Sequence, residues 1–253
     1  MFGSPMARKI LLIAVMVLAH SGASRAETIS VNFTGRNNGT PEHLHVEFGA
    51  SSSGVAGVNG NDDWNDILAY GDSGMRATFG PVGVVGSEGG EAVITFSSRG
   101  TYSQSWAGRR IVPLEDPSGD MMDGHIEGRL DSFPWTVTVT ELADDFPVYE
   151  IYAYLGDDEG GRSGSITLNG SSTVAYTSKI FDGTFVEATG GGASDYVVFR
   201  GVTGDSFVIS GGGVDGANRT GLHGLEIVGV PEPSSLVLLA MGLLGFGWFA
   251  WRR

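Results

Sequence analysis

Several short stretches gather residues that could do chemistry. Asn61-Asp62-Asp63-Trp64-Asn65-Asp66 places three carboxylates and two amides in six residues. These are hard oxygen ligands of the kind Ca²⁺ takes, although the spaced D-x-D-x-D-G loop of an EF-hand is missing. A solvated turn with Trp64 packed inward accounts for the same residues. Asp157-Asp158-Glu159, ahead of Gly160-Gly161, is a second acidic loop tip, and Asp120 with Asp123 is a third, weaker pair. Ca²⁺ is thus the cofactor to consider, with Asp62, Asp63, Asp66, Asp157 and Asp158 as candidate ligands. In H-L-H-V-E, His43, His45 and Glu47 alternate, so a strand would turn all three to one face. Two imidazoles and a carboxylate suit a transition metal, and the polar outer face of a half-buried strand is the plainer reading. Trp106, Trp135 and Tyr152, with Tyr102 and Tyr154 near them in sequence, could stack on the apolar faces of sugars. Core packing is the commoner fate of strand aromatics. His125 and His223 read as isolated, structural histidines.

Catalytic patterns are missing. There is no G-x-S-x-G, no H-E-x-x-H and no P-loop. Carboxylates abound, but sequence alone cannot set two of them across a cleft. The absence of cysteine excludes thiolate catalysis and Cys-ligated zinc. No catalytic residue is assigned, and the expectation is a protein that is not an enzyme. All 29 acidic residues lie within residues 27–232, with ten of the 15 basic ones, so this stretch has a formal charge near −19. Such a surface repels nucleic acid and leaves divalent cations and neutral sugars as plausible partners.

The elements that must position these residues read as strands. T-I-S-V-N-F, A-V-I-T-F, W-T-V-T-V-T, V-Y-E-I-Y-A-Y-L, S-I-T-L-N, Y-V-V-F-R, S-F-V-I-S and L-E-I-V are rich in β-branched and aromatic residues, with Gly, Asn, Asp and Ser between them. In W-T-V-T-V-T the valines share one face and the threonines the other. Asn169-Gly170 and Asp182-Gly183 are turn signals, and Gly108–Gly124 reads as a long loop. No sustained helical period runs through residues 27–230. The fold predicted is all-β, a single β-sandwich of jelly-roll type.

Both ends differ from this body. Arg8-Lys9, the apolar run Ile10–Ala19 and small residues to Ala26 have the order of a signal peptide over residues 1–26, with Met1 or Met6 as its start. Ten apolar residues are too few to span a bilayer. At the other end, Pro231-Glu232-Pro233-Ser234-Ser235 precedes an apolar run from Leu236 to Trp251, then Arg252-Arg253. As a helix, 236–251 would be roughly 24 Å long, slightly short of a hydrocarbon core of about 30 Å. The terminal arginines suit the cytoplasmic side and stop the span.

This tail resembles the PEP-CTERM sorting signal of bacterial surface proteins. Pro231, Glu232 and Pro233 match the motif core, and Arg252 and Arg253 match its basic end. The resemblance implies an exosortase as processing partner, an inner-membrane-tethered precursor, and a final place at the cell surface or in an extracellular matrix. The body resembles the galactose-binding-like β-sandwich ectodomains found in such proteins, through S-V-N-F, D-W-N-D, D-S-G, the aromatic strand ending in G-D-D, and G-L-H-G-L-E-I-V. That implies the jelly-roll fold. The sorting tail and the lack of a catalytic set together lead to the expectation of a non-catalytic role, with exopolysaccharide as a partner or a structural part in the matrix. A polysaccharide-active hydrolase or lyase and a Ca²⁺-stabilised adhesive module are the alternatives.

Overall fold

Alternation of apolar and polar side chains builds most of this molecule. The computed structural model of the chain describes residues 26–34, 55–68, 77–98, 100–103, 116–128, 133–142, 146–157, 159–214 and 220–230. Within them are fourteen strands and one short helix. The strands are β1 (Thr28–Thr34), β2 (Trp64–Leu68), β3 (Ala77–Val85), β4 (Glu91–Ser98), β5 (Gly100–Ser103), β6 (Gly124–Gly128) and β7 (Trp135–Thr140), then β8 (Tyr149–Gly156), β9 (Ser163–Leu168), β10 (Ser172–Ser178), β11 (Ala193–Ser194), β12 (Tyr196–Val202), β13 (Phe207–Gly213) and β14 (Thr220–Gly229). The helix, α1, is Pro117–Met121.

Two sheets result. The first runs β12-β8-β14-β1-β2, with β6 also on β14 and β5 on β6. The second runs β11-β10-β9-β13-β7-β4-β3. The β1–β2 and β10–β11 pairs are parallel, and the other strand pairs are antiparallel. In β7 the burial pattern follows the sequence residue by residue, with Trp135, Val137 and Val139 buried and the threonines half-buried. Ile29, Val31, Phe33, Ile151, Leu225 and Ile227 of the first sheet share one apolar cluster with Ile94, Phe96, Trp135, Val137, Ile166 and Ile209 of the second. The mostly-β, sandwich-like fold expected from the alternation is therefore present.

Some expectations need correction. Trp135 offers no surface to a sugar, because it is fully buried between the sheets. Its ring lies over Gly211 of β13, where an added Cβ would stand 2.4 Å from Trp135 Cζ2. The stretch read as a loop up to Gly124 contains α1, whose end brings Met121 and Met122 into the interior. Among the described residues no helix is long and apolar enough to cross a membrane. The proposed signal peptide before Ala26 and the apolar run 236–251 lie outside the described residues.

Candidate functional site

The period of two puts one face of β8 into the core and turns the other away from it. Tyr149, Ile151, Ala153 and Leu155 point inward, while Glu150, Tyr152 and Tyr154 point outward. Pairing sets β14 beside them, with Glu226 opposite Tyr152, and β12 on the other side, with Val198 opposite Tyr152. Tyr152, Tyr154, Tyr196, Arg200 and Glu226 therefore meet on the outer face of the first sheet. This face has a covered half and an open half.

The covered half is a second, smaller apolar cluster of Ala56, Trp64, Met121, Met122, Tyr154 and Phe181. A tight turn lies over it, closed by Ala56 N–H to Asn61 O (2.8 Å) and Asn61 N–H to Ala56 O (3.1 Å). Beneath the turn Glu226 is fully buried. Its Oε2 accepts from the Tyr154 hydroxyl (2.5 Å) and from Asn59 Nδ2 (2.8 Å), and Ser30 Oγ lies 3.5 Å from Oε1. Val58 N–H in turn donates to Tyr154 Oη (2.7 Å). Burial pushes the Glu226 carboxyl above its ordinary range, and the three donors only partly offset it.

The open half carries half-buried Tyr152, Tyr196 and Phe185. The Tyr152 and Tyr196 rings are stacked, with centroids 6.2 Å apart and planes 28° apart. The Tyr152 hydroxyl donates to Glu150 Oε2 (2.7 Å). Arg200 forms a two-pronged pair with Glu187, at 2.9 and 3.1 Å, and its Nε lies 3.9 Å from Glu150 Oε1. Hydrogen bonding to Arg200 holds the Glu187 carboxyl below the usual range. Behind the tyrosines, buried Asp195 fixes the loop that bears Phe185 and Glu187. Its Oδ2 accepts from Val186 N–H (2.9 Å) and pairs with Lys179 Nζ (3.2 Å). Burial lifts this carboxyl to about 6 against the pull of Lys179.

The sequence-predicted site residues are scattered. Tyr152 lies in the open half described above. Asp62 and Asp63 are exposed, and Asp66 is exposed on β2, where its Oδ1 accepts from Asn32 Nδ2 (3.2 Å). They flank a turn organised by buried Asn61, whose Oδ1 accepts from Asp62 N–H (3.1 Å), and Trp64 does pack inward. Asp157 is buried and hydrogen-bonded within the chain. Its Oδ1 accepts from the N–H groups of Glu159 (2.6 Å) and Gly160 (2.5 Å), and its Oδ2 from the Ser178 hydroxyl. Among the described residues no three of His, Asp and Glu gather to hold a metal. His43, His45, Glu47, Trp106 and Asp158 lie outside the described residues.

His125 and His223 are not isolated from each other. Both are buried and their rings lie 4.9 Å apart, brought together by the β6–β14 pairing. Sequence reasoning also missed Tyr196, Arg200, Glu187 and Glu226. Glu226 carried a signal, because the alternation of L-E-I-V places it on the face opposite Leu225 and Ile227.

Residues 229–253 match the PEP-CTERM protein-sorting motif. The matched segment includes Pro231-Glu232-Pro233 and Arg252-Arg253, and such a motif indicates an exported protein processed by an exosortase. No curated protein matches the chain in sequence. Among solved structures, an exo-beta-1,3-galactanase from Phanerochaete chrysosporium, crystallised with galactose, is 16% identical with a TM-score of 0.24, over 37% of this chain and 21% of that one. A ruminal endo-beta-1,4-mannanase is 15% identical with a TM-score of 0.23, over 40% and 19%. The chain spans about a fifth of each of those structures, and a likeness of that size carries no argument.

Proposed function

We propose that this chain is a non-catalytic, carbohydrate-binding protein of the cell surface or extracellular matrix, built on a galactose-binding-like jelly roll. The sorting motif supplies its route. Residues 1–26 direct export, the apolar run 236–251 tethers a precursor in the inner membrane, and an exosortase removes or exchanges the tail near Pro231-Glu232-Pro233.

One observation carries the non-catalytic reading: the carboxylates beside the half-exposed tyrosines are already committed. Glycoside hydrolysis needs one protonated and one ionised carboxyl facing each other across an open groove. Glu187 is held ionised by Arg200, and Glu150 bridges Arg200 and the Tyr152 hydroxyl. Glu226, the carboxyl whose protonated form burial favours, is sealed under the 56–61 turn. What remains at the surface is aromatic area with a polar rim, which suits holding a sugar.

Two measurements test this. In a host lacking its exosortase, the precursor should keep its C-terminal apolar segment and accumulate in the inner membrane, and unchanged release would refute the route. Incubation with a broad polysaccharide panel should show retention on some members and turnover of none, and steady release of reducing ends would make the body an enzyme.

A further inference from the structure

The binding role leaves open where a glycan sits and which glycans fit. We infer that an uncharged polysaccharide chain lies against Tyr152 and Tyr196 on the open half of the first sheet, with Arg200, Glu150 and Glu187 addressing its hydroxyls. This inference rests on the carbohydrate-binding role proposed above.

Among the described residues most aromatic side chains are buried, and Phe79, half-buried, stacks on Phe96. Trp135, Tyr149, Tyr154, Tyr176, Phe33 and Phe96 are all buried. Tyr152, Tyr196 and Phe185 are only half-buried, and they occur together. A pyranose presents an apolar C–H face and a polar edge of hydroxyls. Aromatic surface answers the first and a rim of fixed donors and acceptors answers the second.

The rim is preorganised. Arg200 is held by both carboxylate oxygens of Glu187, and Glu150 is held by the Tyr152 hydroxyl. The wall formed by Phe185 and Glu187 is pinned through Asp195, the residue next to Tyr196. A guanidinium carries five N–H groups and a carboxylate accepts about four hydrogen bonds, so these groups can take hydroxyls without leaving one another. Little ordering is left for binding to impose.

Position and charge narrow the ligand. β12 is the outer strand of its sheet, and the isolated bridge Glu187–Tyr196 is what borders it among the described residues. The Phe185–Glu187 segment is thus a side wall of the site along the sheet edge. Two glutamates and one arginine leave the rim net negative, and the formal charge near −19 extends that field. Uronic acids and other anionic polymers are repelled, and the tyrosine area is then available to neutral hexose chains. An apolar peptide or acyl chain would bury the Arg200 and Glu rim without hydrogen-bonding it, which is unfavourable.

The test is affinity electrophoresis of the full chain in detergent through gels containing soluble neutral glucan, galactan or mannan, with a polyuronate gel alongside. At least one neutral polymer should retard the wild-type chain, and the polyuronate should not. Tyr152→Ala and Tyr196→Ala should each weaken retardation at least tenfold. Arg200→Met, at a side chain 55% exposed and outside both cores, should weaken it severalfold with an unchanged unfolding midpoint, so the test survives if a tyrosine variant fails to fold. Full-strength retardation of Arg200→Met and Tyr152→Ala would overturn this site and leave the binding role standing. A preference for polyuronate would overturn the uncharged ligand. No retardation by any neutral polymer would overturn both the site and the role.

Discussion

At Gly57 the backbone has φ +79°, and an added Cβ would lie 2.7 Å from Tyr154 Oη and 3.0 Å from both Glu226 Oε1 and Trp64 Cζ2. Strain and collision add at this point, directly over the buried carboxyl. Gly57→Ala should cost about 1–3 kcal/mol and lower the thermal midpoint, while Gly83→Ala, with nothing within 4 Å, should leave it in place. The His125–His223 pair makes a second residue-scale prediction. Burial, and then the charge of His125, hold the His223 imidazole well below its ordinary value. Below about pH 6.5 the unfolded chain therefore binds a proton that the folded chain refuses. The stability this group contributes is complete above that pH and is lost as pH falls. Asp195, raised to about 6, and Glu226, raised by burial, act the other way, because the folded state binds their protons first. The clean observable is the difference between wild type and His223→Phe in urea midpoints from pH 7.5 to 5.5. Wild type should lose more stability over that range, and parallel curves would remove the histidine from the account. Neither effect was visible in the sequence. Gly57 precedes an unremarkable V-N-G, and the two histidines meet only through strand pairing.

The sandwich is laced along one side by side chains that replace missing ladder bonds. β2 and β3 are the last strands of their sheets, and Asn65 ties them together. Its Nδ2 reaches Val85 O (2.8 Å) and Ser30 O (3.0 Å), while its Oδ1 accepts from Val85 N–H (3.1 Å). Glu27 Oε1 adds the N–H groups of Glu88 (3.2 Å) and Gly90 (3.1 Å) to the same seam. Asn65→Ala should cost about 1–3 kcal/mol, within the range for several lost hydrogen bonds at a part-exposed site. Amide exchange at Val85 should rise while that of Val137, in the middle of β7, follows only the global change. Equal protection at Val85 in the variant would show that the seam is not what holds it. Strands with plain alternation, such as β7 and β8, were legible because one face meets the core. β2 and β3 were not, since W-N-D-I-L mixes a carboxylate and an amide into the run, and Gly80-Pro81 interrupts A-T-F-G-P-V-G-V-V at the register shift between Phe79 and Val82. The Asn61–Asp66 stretch could be read as a metal loop or as a turn with Trp64 packed inward; Trp64 does fill the second cluster, and Asn61 orders the turn by bonding its own backbone. Tyr152 was legible only as one of several candidate aromatics, among them Trp135 and Tyr154, which are buried; Arg200 and Glu187 were not, because a two-pronged pair across a loop leaves no periodic trace.

At the scale of the whole molecule, β14 is the strand through which the first sheet closes. It pairs with β1, β8 and β6, and Gly229 N–H donates to Glu27 O (2.8 Å), so the last described strand holds the first. Leu222, Leu225 and Ile227 from this one strand enter the main core, and burying each contributes about 1.5–3 kcal/mol. Most of these contacts are distant in sequence, so they cannot form until Thr220–Gly229 has been made. The last strand ends at Gly229, two residues before Pro231, so the fold closes right beside the sorting segment. Two truncations separate these parts. A chain ending at Val230 retains all the described strands and should unfold at the wild-type midpoint by circular dichroism, with one cooperative transition. A chain ending at Asn218 lacks β14 and should show no cooperative transition, since β1, β8 and β6 would each lose their shared neighbour and several buried apolar side chains would go with it. A stable fold without β14, or a marked loss of stability on removing residues 231–253, would place the keystone of the molecule elsewhere.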